Sequence, residues 1–159
     1  MEIIQPAHHI VAAPVKNWKE IEKDALELRD FIRYNKFKGL WEKAYAISHA
    51  QVSNSPKNFF VLNEGMENGI LKKMFGSWCI VNPEIIWKDD LYLVDFKDAC
   101  MSFPFRQPKN IQRYYIIKVK YYVPFLGFLR KKVKRFENIP AFIVQHEGEH
   151  SQGKNIYGL

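Results

Sequence analysis

Apolar positions near the start of the chain recur at helical spacing. Trp18, Ile21, Ala25, Leu28 and Ile32 fall on one stripe with charged residues between them, the signature of a helix that buries one face. Asn17 followed three residues later by Glu20 has the form of a capping box, so the spacing predicts a helix from Trp18 to about Asn35, with Gly39 after its end. The pattern then changes. Asn58–Asn63 is a short unbroken apolar run and reads as a buried strand, whereas Glu64–Gly76, with three glycines, reads as a loop or short helix. Trp78–Asn82 is a second apolar strand, interrupted by Pro83 and resumed from Glu84 to Trp87. From Arg113 to Val123 the period is two: Ile117, Val119, Tyr121 and Val123 face a core while Lys118 and Lys120 face water. Phe128–Phe136 follows as the partner strand, with Leu129 and Val133 on one face and Arg130, Lys132 and Lys134 on the other. Their connection, Pro124-Phe125-Leu126-Gly127, is apolar for a turn. Asn138 with Pro140 marks the start of a last helix that carries Ile139, Phe142, Ile143, His146 and His150 inward.

These elements imply an α+β fold: an N-terminal helix, mostly antiparallel sheets, and a C-terminal helix packed against them. With 159 residues, 47% of them hydrophobic, a single domain over 1–159 has enough apolar material for its own core. The start of the chain lacks the basic and apolar segments of a signal peptide, and no apolar run approaches the roughly 18 residues of a membrane span. A soluble, cytoplasmic monomer without a membrane partner is expected. The net charge of +7 is concentrated: residues 106–135 hold ten Lys or Arg and no Asp or Glu. That stretch is either a solvated hairpin face or a contact for an anionic partner such as RNA.

The candidate chemistry lies near the C-terminus, in Gln145-His146-Glu147-Gly148-Glu149-His150. Histidines four residues apart share one helix face, so both imidazoles can reach one metal ion, and Glu147 projects beside them. A catalytic site of this kind uses three protein ligands, with a carboxylate acting on a water in the open position. Cys100, in Asp98-Ala99-Cys100-Met101-Ser102, is the candidate third ligand. Cys79 sits in an apolar run and reads as a small hydrophobe. His8 and His9, beside Pro6, read as surface residues. Gln51, at the end of a small-residue stretch over 41–52, offers both a donor and an acceptor. His49 has no identifiable partner and is expected at the surface.

In order and separation, three segments resemble the motifs of the peptide deformylase family over nearly the whole chain. Gln145–His150 matches Gln-His-Glu-x-Asp-His with Glu149 for the aspartate. Asp98–Ser102 matches Glu-Gly-Cys-Leu-Ser, with Phe103-Pro104 also typical. Ala44–Gln51 is an eroded Gly-x-Gly-x-Ala-Ala-x-Gln that keeps the glutamine, and Asn82-Pro83-Glu84 adds a family-like strand. The resemblance implies that Cys100, His146 and His150 bind one divalent ion, Fe2+ or Zn2+ with Ni2+ or Co2+ tolerated. It makes Glu147 the acid/base, and has the Gln51 amide and the Met101 backbone N–H donate to the formyl oxygen. The substrates implied are N-formylmethionyl nascent peptides, with formate released. Tyr45, Phe142 and Ile143 would line the methionine pocket more bulkily than is usual, and Ala46 stands where family backbone pairs with the peptide. The chain is similar to short forms carried by bacteriophages, and transient ribosome or RNA contact would fall to the basic 106–135 hairpin. Two other readings compete: a His-Glu-x-x-His zinc peptidase, and a catalytically weakened relative kept for binding.

Overall fold

The structure, a computed structural model, describes residues 1–4, 10–34, 44–103 and 105–158. The expectations for Pro6, His8 and His9, for the first helix beyond Tyr34 and its closing Gly39, for Trp41–Lys43 and for Pro104 lie outside them.

Five antiparallel strands make the main sheet, in the order β1 (Ala46–Ser48), β2 (Phe59–Leu62), β3 (Cys79–Lys88), β6 (Ile116–Phe125) and β7 (Phe128–Glu137). A separate two-stranded ribbon pairs β4 (Leu93–Asp98) with β5 (Lys109–Tyr114). Helix α1 (Glu22–Tyr34) covers one face of the sheet, α3 (Ile139–Ser151) the other, and the short α2 (Ile70–Phe75) leads into β3. This layering explains the unbroken apolar runs. Phe59 and Val61 of β2 pack toward α1 with Ile21, Ala25 and Leu28, while Phe60 and Leu62 pack toward α3 with Ala141 and Val144. Both faces of the strand are covered, so alternation disappears.

Differences from the sequence reading have local causes. The first helix opens as a 3-10 turn over Trp18–Glu20, and the α-helix begins at Glu22. Asn17 Oδ1 accepts from Glu20 N as a cap does, but Glu20 Oε2 accepts from Lys16 N, one residue before the position a capping box would use. Pro83 does not end β3. The strand runs through it because the register slips between Val81 and Glu84, and a bulge is where a sheet tolerates a residue without an N–H. Asn82 carries that bulge at φ 48°, and its side-chain amide pairs with both backbone groups of Val15, at 2.9 and 2.7 Å. The alternating run splits at Tyr115 into β5 and β6. In β7 the face holding Arg130, Lys132 and Lys134 is the one that ends in buried Phe136, with Lys134 Nζ donating to Met74 O of α2; Val133 is exposed. Long lysine stems lie over α2 while their charges stay in water.

Helix α3 is buried over most of its circumference because it runs between the main sheet and the β4–β5 ribbon. Gln145 ties it to the ribbon, accepting from Tyr114 N and donating to Tyr114 O, both at 2.9 Å. Gly148 is the weak point. A Cβ there would meet nothing within 4 Å, and glycine inside a helix costs about 1 kcal/mol relative to alanine. Gly148→Ala should therefore raise stability by about 0.5–1 kcal/mol, read as a higher urea midpoint with an unchanged slope.

Candidate metal centre and active-site cleft

Spacing along α3 turns His146 and His150 to one side, and the turn just past β4 brings Cys100 against them. His150 Nε2 lies 3.2 Å from Cys100 Sγ and 3.2 Å from His146 Nε2. All three ligand atoms fall within 4.8 Å of one another. Two nitrogens bound tetrahedrally to one ion at about 2.0–2.1 Å stand roughly 3.3 Å apart, and a sulfur at about 2.3 Å stands slightly farther. The donor set and its spacing thus fit one divalent ion. The cysteine is carried by a loop two residues beyond β4.

Each histidine differs in its second nitrogen. His146 Nδ1 lies 2.8 Å from Asp98 Oδ2, which orients the ring and leaves Nε2 for an ion. Burial alone would lower its pKa, but hydrogen bonds to Asp98 and Cys100 outweigh burial and raise it well above the ordinary imidazole range. In His150, burial and then the neighbouring His146 lower it far below that range, and its buried Nδ1 has no hydrogen-bond partner among the described residues. A neutral imidazole is the form that binds metal.

Behind His146 stands an ion network that sequence reading missed. Asp98 Oδ2 accepts from Arg113 Nη2 at 2.9 Å, and the Arg113 guanidinium also forks onto Glu149, with Nη1 on Oε1 and Nη2 on Oε2. Arg113 is buried. One sequence signal was available: Arg113 shares the odd parity of Ile117 and Val119, an arginine on an inward-facing position. The shorter Asp98 still reaches His146, and Glu149 finds a partner in Arg113.

The cleft in front of the trio is a cavity of about 170 Å3 lined by Tyr45, Ala46, Gln51, Met101, Phe142, Ile143, His146 and Glu147, together with Phe96 and Lys97. Of the candidate site residues, Tyr45, Ala46, Gln51, Met101, Phe142, Ile143, His146 and Glu147 line it, and Cys100 and His150 lie directly behind. Gln51 closes a 3-10 turn over His49–Gln51 as a capping box: its Oε1 accepts from Ser48 N at 2.9 Å, which points Nε2 toward Ser102 Oγ at 3.1 Å and Cys100 Sγ at 3.8 Å. Glu147 is buried, its Oε2 lacks a partner among the described residues, and burial pushes its pKa up to about 7. Phe96, which sequence reading did not single out, packs on Phe142 with the rings tilted by 38° and their centroids 4.6 Å apart. The segment after α3 folds back so that Ile156 covers Cys100 and Phe103.

Two residues outside the trio depart from or follow their sequence reading. His49 is buried, not at the surface: its ring stacks on Phe59, Nδ1 accepts from Lys57 N at 2.9 Å, and Nε2 lies 3.6 Å from Asp24. Its main partner is a backbone N–H eight residues away, which no sequence pattern shows. Cys79 is wholly buried and burial pushes its thiol pKa up, so it packs as a hydrophobe.

Fold and cleft together define a class: an α+β protein in which a loop cysteine and a helical histidine pair converge beside a buried carboxylate. The chain matches the family model described as polypeptide deformylase over residues 1–158 and belongs to that family. It is similar to the peptide deformylase of Karelsulcia muelleri (28% identical over 136 residues, 85% of this chain and 66% of that one). It is also similar to the peptide deformylase of Brachyspira hyodysenteriae (36% over 74 residues, 46% of this chain and 37% of that one). The chain thus spans 37% and 66% of these two relatives' lengths. The solved peptide deformylase of Plasmodium falciparum shares the fold, with a TM-score of 0.75 at 23% identity over 97% of this chain and 83% of that chain. Nothing in the site or in these likenesses favours the peptidase or the binding-only reading.

Proposed function

We propose that this protein, as one catalytic unit over residues 1–159, removes the formyl group from N-formylmethionyl peptides in a metal-dependent hydrolysis, releasing formate. The observation that carries this reading is the convergence of Cys100 Sγ, His146 Nε2 and His150 Nε2 within 4.8 Å, at a cleft that also holds Gln51 and Glu147. Cys100, His146 and His150 would hold one ion, Fe2+ or Zn2+; a thiolate with two imidazoles suits either. Such an ion supplies Lewis-acid activation of water and of the formyl carbonyl.

The remaining steps belong to the chain. Glu147, buried and with a pKa near neutrality, takes the proton of the attacking water and returns it to the departing amine, which is the task a carboxyl poised near working pH performs best. Gln51 Nε2, fixed by the Ser48 hydrogen bond to the other end of the amide, donates to the formyl oxygen as charge builds there, with the Met101 N–H as second donor. Asp98, held by Arg113, keeps the His146 ring oriented. Formate release from a formyl-Met peptide by metal-loaded protein, absent with the unformylated peptide, tests the reading; a fully metallated protein without turnover would overturn it.

The methionine side chain would enter beside Tyr45, Ile143 and the Phe96–Phe142 pair. Because these rings narrow the pocket, Phe142→Leu should raise kcat/KM for formyl peptides with a bulkier first residue by about tenfold relative to formyl-Met, measured with paired substrates.

A further inference from the structure

The β6–β7 hairpin ends in a feature the proposed chemistry does not use. Its strands pair down to Phe125 and Phe128, and the two turn residues, Leu126 and Gly127, both have positive φ, 49° and 82°. That geometry favours Asn-Gly, and a γ-branched apolar residue adopts it only at a steric cost. Leu126 is nevertheless 82% exposed, with Phe128 at 75% and Phe125 at 51% beside it. Three large apolar side chains therefore project together from a turn that polar residues would form more readily. Strain kept at an exposed position points to use.

The shaft behind the tip is cationic. Arg130, Lys131 and Lys132 follow directly behind the tip, with Lys118 and Lys134 farther back; Lys120 is paired with Glu84 and Arg135 with Glu137. Arg130 lies over the Phe125 ring at 5.3 Å, bringing a guanidinium to the base of the apolar cap. Charge alone would suit RNA. Phe125 and Phe128 could stack on bases, but Leu126, the most exposed of the three and at the apex, offers a nucleic acid neither ring nor donor and gains by leaving water for hydrocarbon. We infer that this hairpin docks on an anionic phospholipid bilayer, with Phe125, Leu126 and Phe128 entering the interfacial region and the basic shaft facing the headgroups. Such docking is peripheral and needs no spanning segment, and no helix among the described residues is long and apolar enough to cross a membrane. Each basic side chain near an anionic surface multiplies partitioning by about fivefold. The inference does not depend on the deformylase reading.

The test is co-sedimentation of the full chain with vesicles of phosphatidylcholine, with and without phosphatidylglycerol, at low and high salt. Binding is expected only to the anionic vesicles and should weaken with salt. Leu126→Asn should reduce it by about tenfold or more, while the unfolding midpoint stays or rises because asparagine accepts positive φ more easily. Arg130→Glu with Lys131→Glu should abolish it. Equal binding of wild type and Leu126→Asn, no preference for anionic lipid, or tight binding to single-stranded RNA that vesicles do not compete away would each overturn the proposal.

Discussion

Glu147→Gln is expected to hold its metal ion as the wild type does and to release formate about 10²–10⁴-fold more slowly. The substitution keeps the shape of the side chain and removes only its capacity to carry a proton. Glu147 is in a position to act because nothing else occupies it: its Oε2 is buried without a partner among the described residues, and burial raises its pKa to about 7. A carboxyl whose pKa in the folded protein lies above its unfolded value loses stabilising influence as pH rises through that window. Metal-free Glu147→Gln should therefore be at least as stable as metal-free wild type above pH 7, although it is the slower enzyme. Parallel measurement of formate release, metal content and thermal midpoint separates this outcome from general damage; a variant that turns over normally would remove Glu147 from the mechanism.

Arg113→Met should destabilise the fold by about 3 kcal/mol, a fall of roughly 10 °C in thermal midpoint for a chain of this size. The loss comes from what the arginine leaves behind. Asp98 is buried and would keep only the Ala99 N–H and His146 as partners, while Glu149, partly exposed, can turn to water. Removing one member of a buried ion network strands the others, which is why the expected cost exceeds that of any surface pair. Arg113→Lys keeps the charge but cannot fork onto Glu149 and Asp98 together, so it should recover only part of the loss. If the methionine variant melted with the wild type, the network would be decoration.

Much of the site was legible because its chemistry is written in short spacings. The interval between His146 and His150 is a helical turn, and one interior cysteine stood in a segment matching a known motif. The buried β2 was legible for the same local reason, as a continuous apolar run. What could not be read depends on partners brought from elsewhere in the chain. Arg113 meets Asp98 and Glu149 only because β5, the end of β4 and α3 converge around it, and in the sequence it is one basic residue among ten. His49 looked exposed because its partner is the main chain of Lys57. Pro83 looked like an interruption of the strand because a bulge at Asn82, locked by Val15, is a tertiary arrangement. Phe96 escaped notice because its contact with Phe142 joins a ribbon strand to a helix that is distant in sequence.

X-ray absorption at the edge of the bound metal, on protein purified without oxygen, examines the proposed coordination most directly. One sulfur at about 2.3 Å and two imidazole nitrogens at about 2.0–2.1 Å per ion are expected, with the sulfur shell and most of the metal lost in Cys100→Ala. A first shell without sulfur, or the same shell with and without Cys100, would contradict the metal centre on which the rest depends.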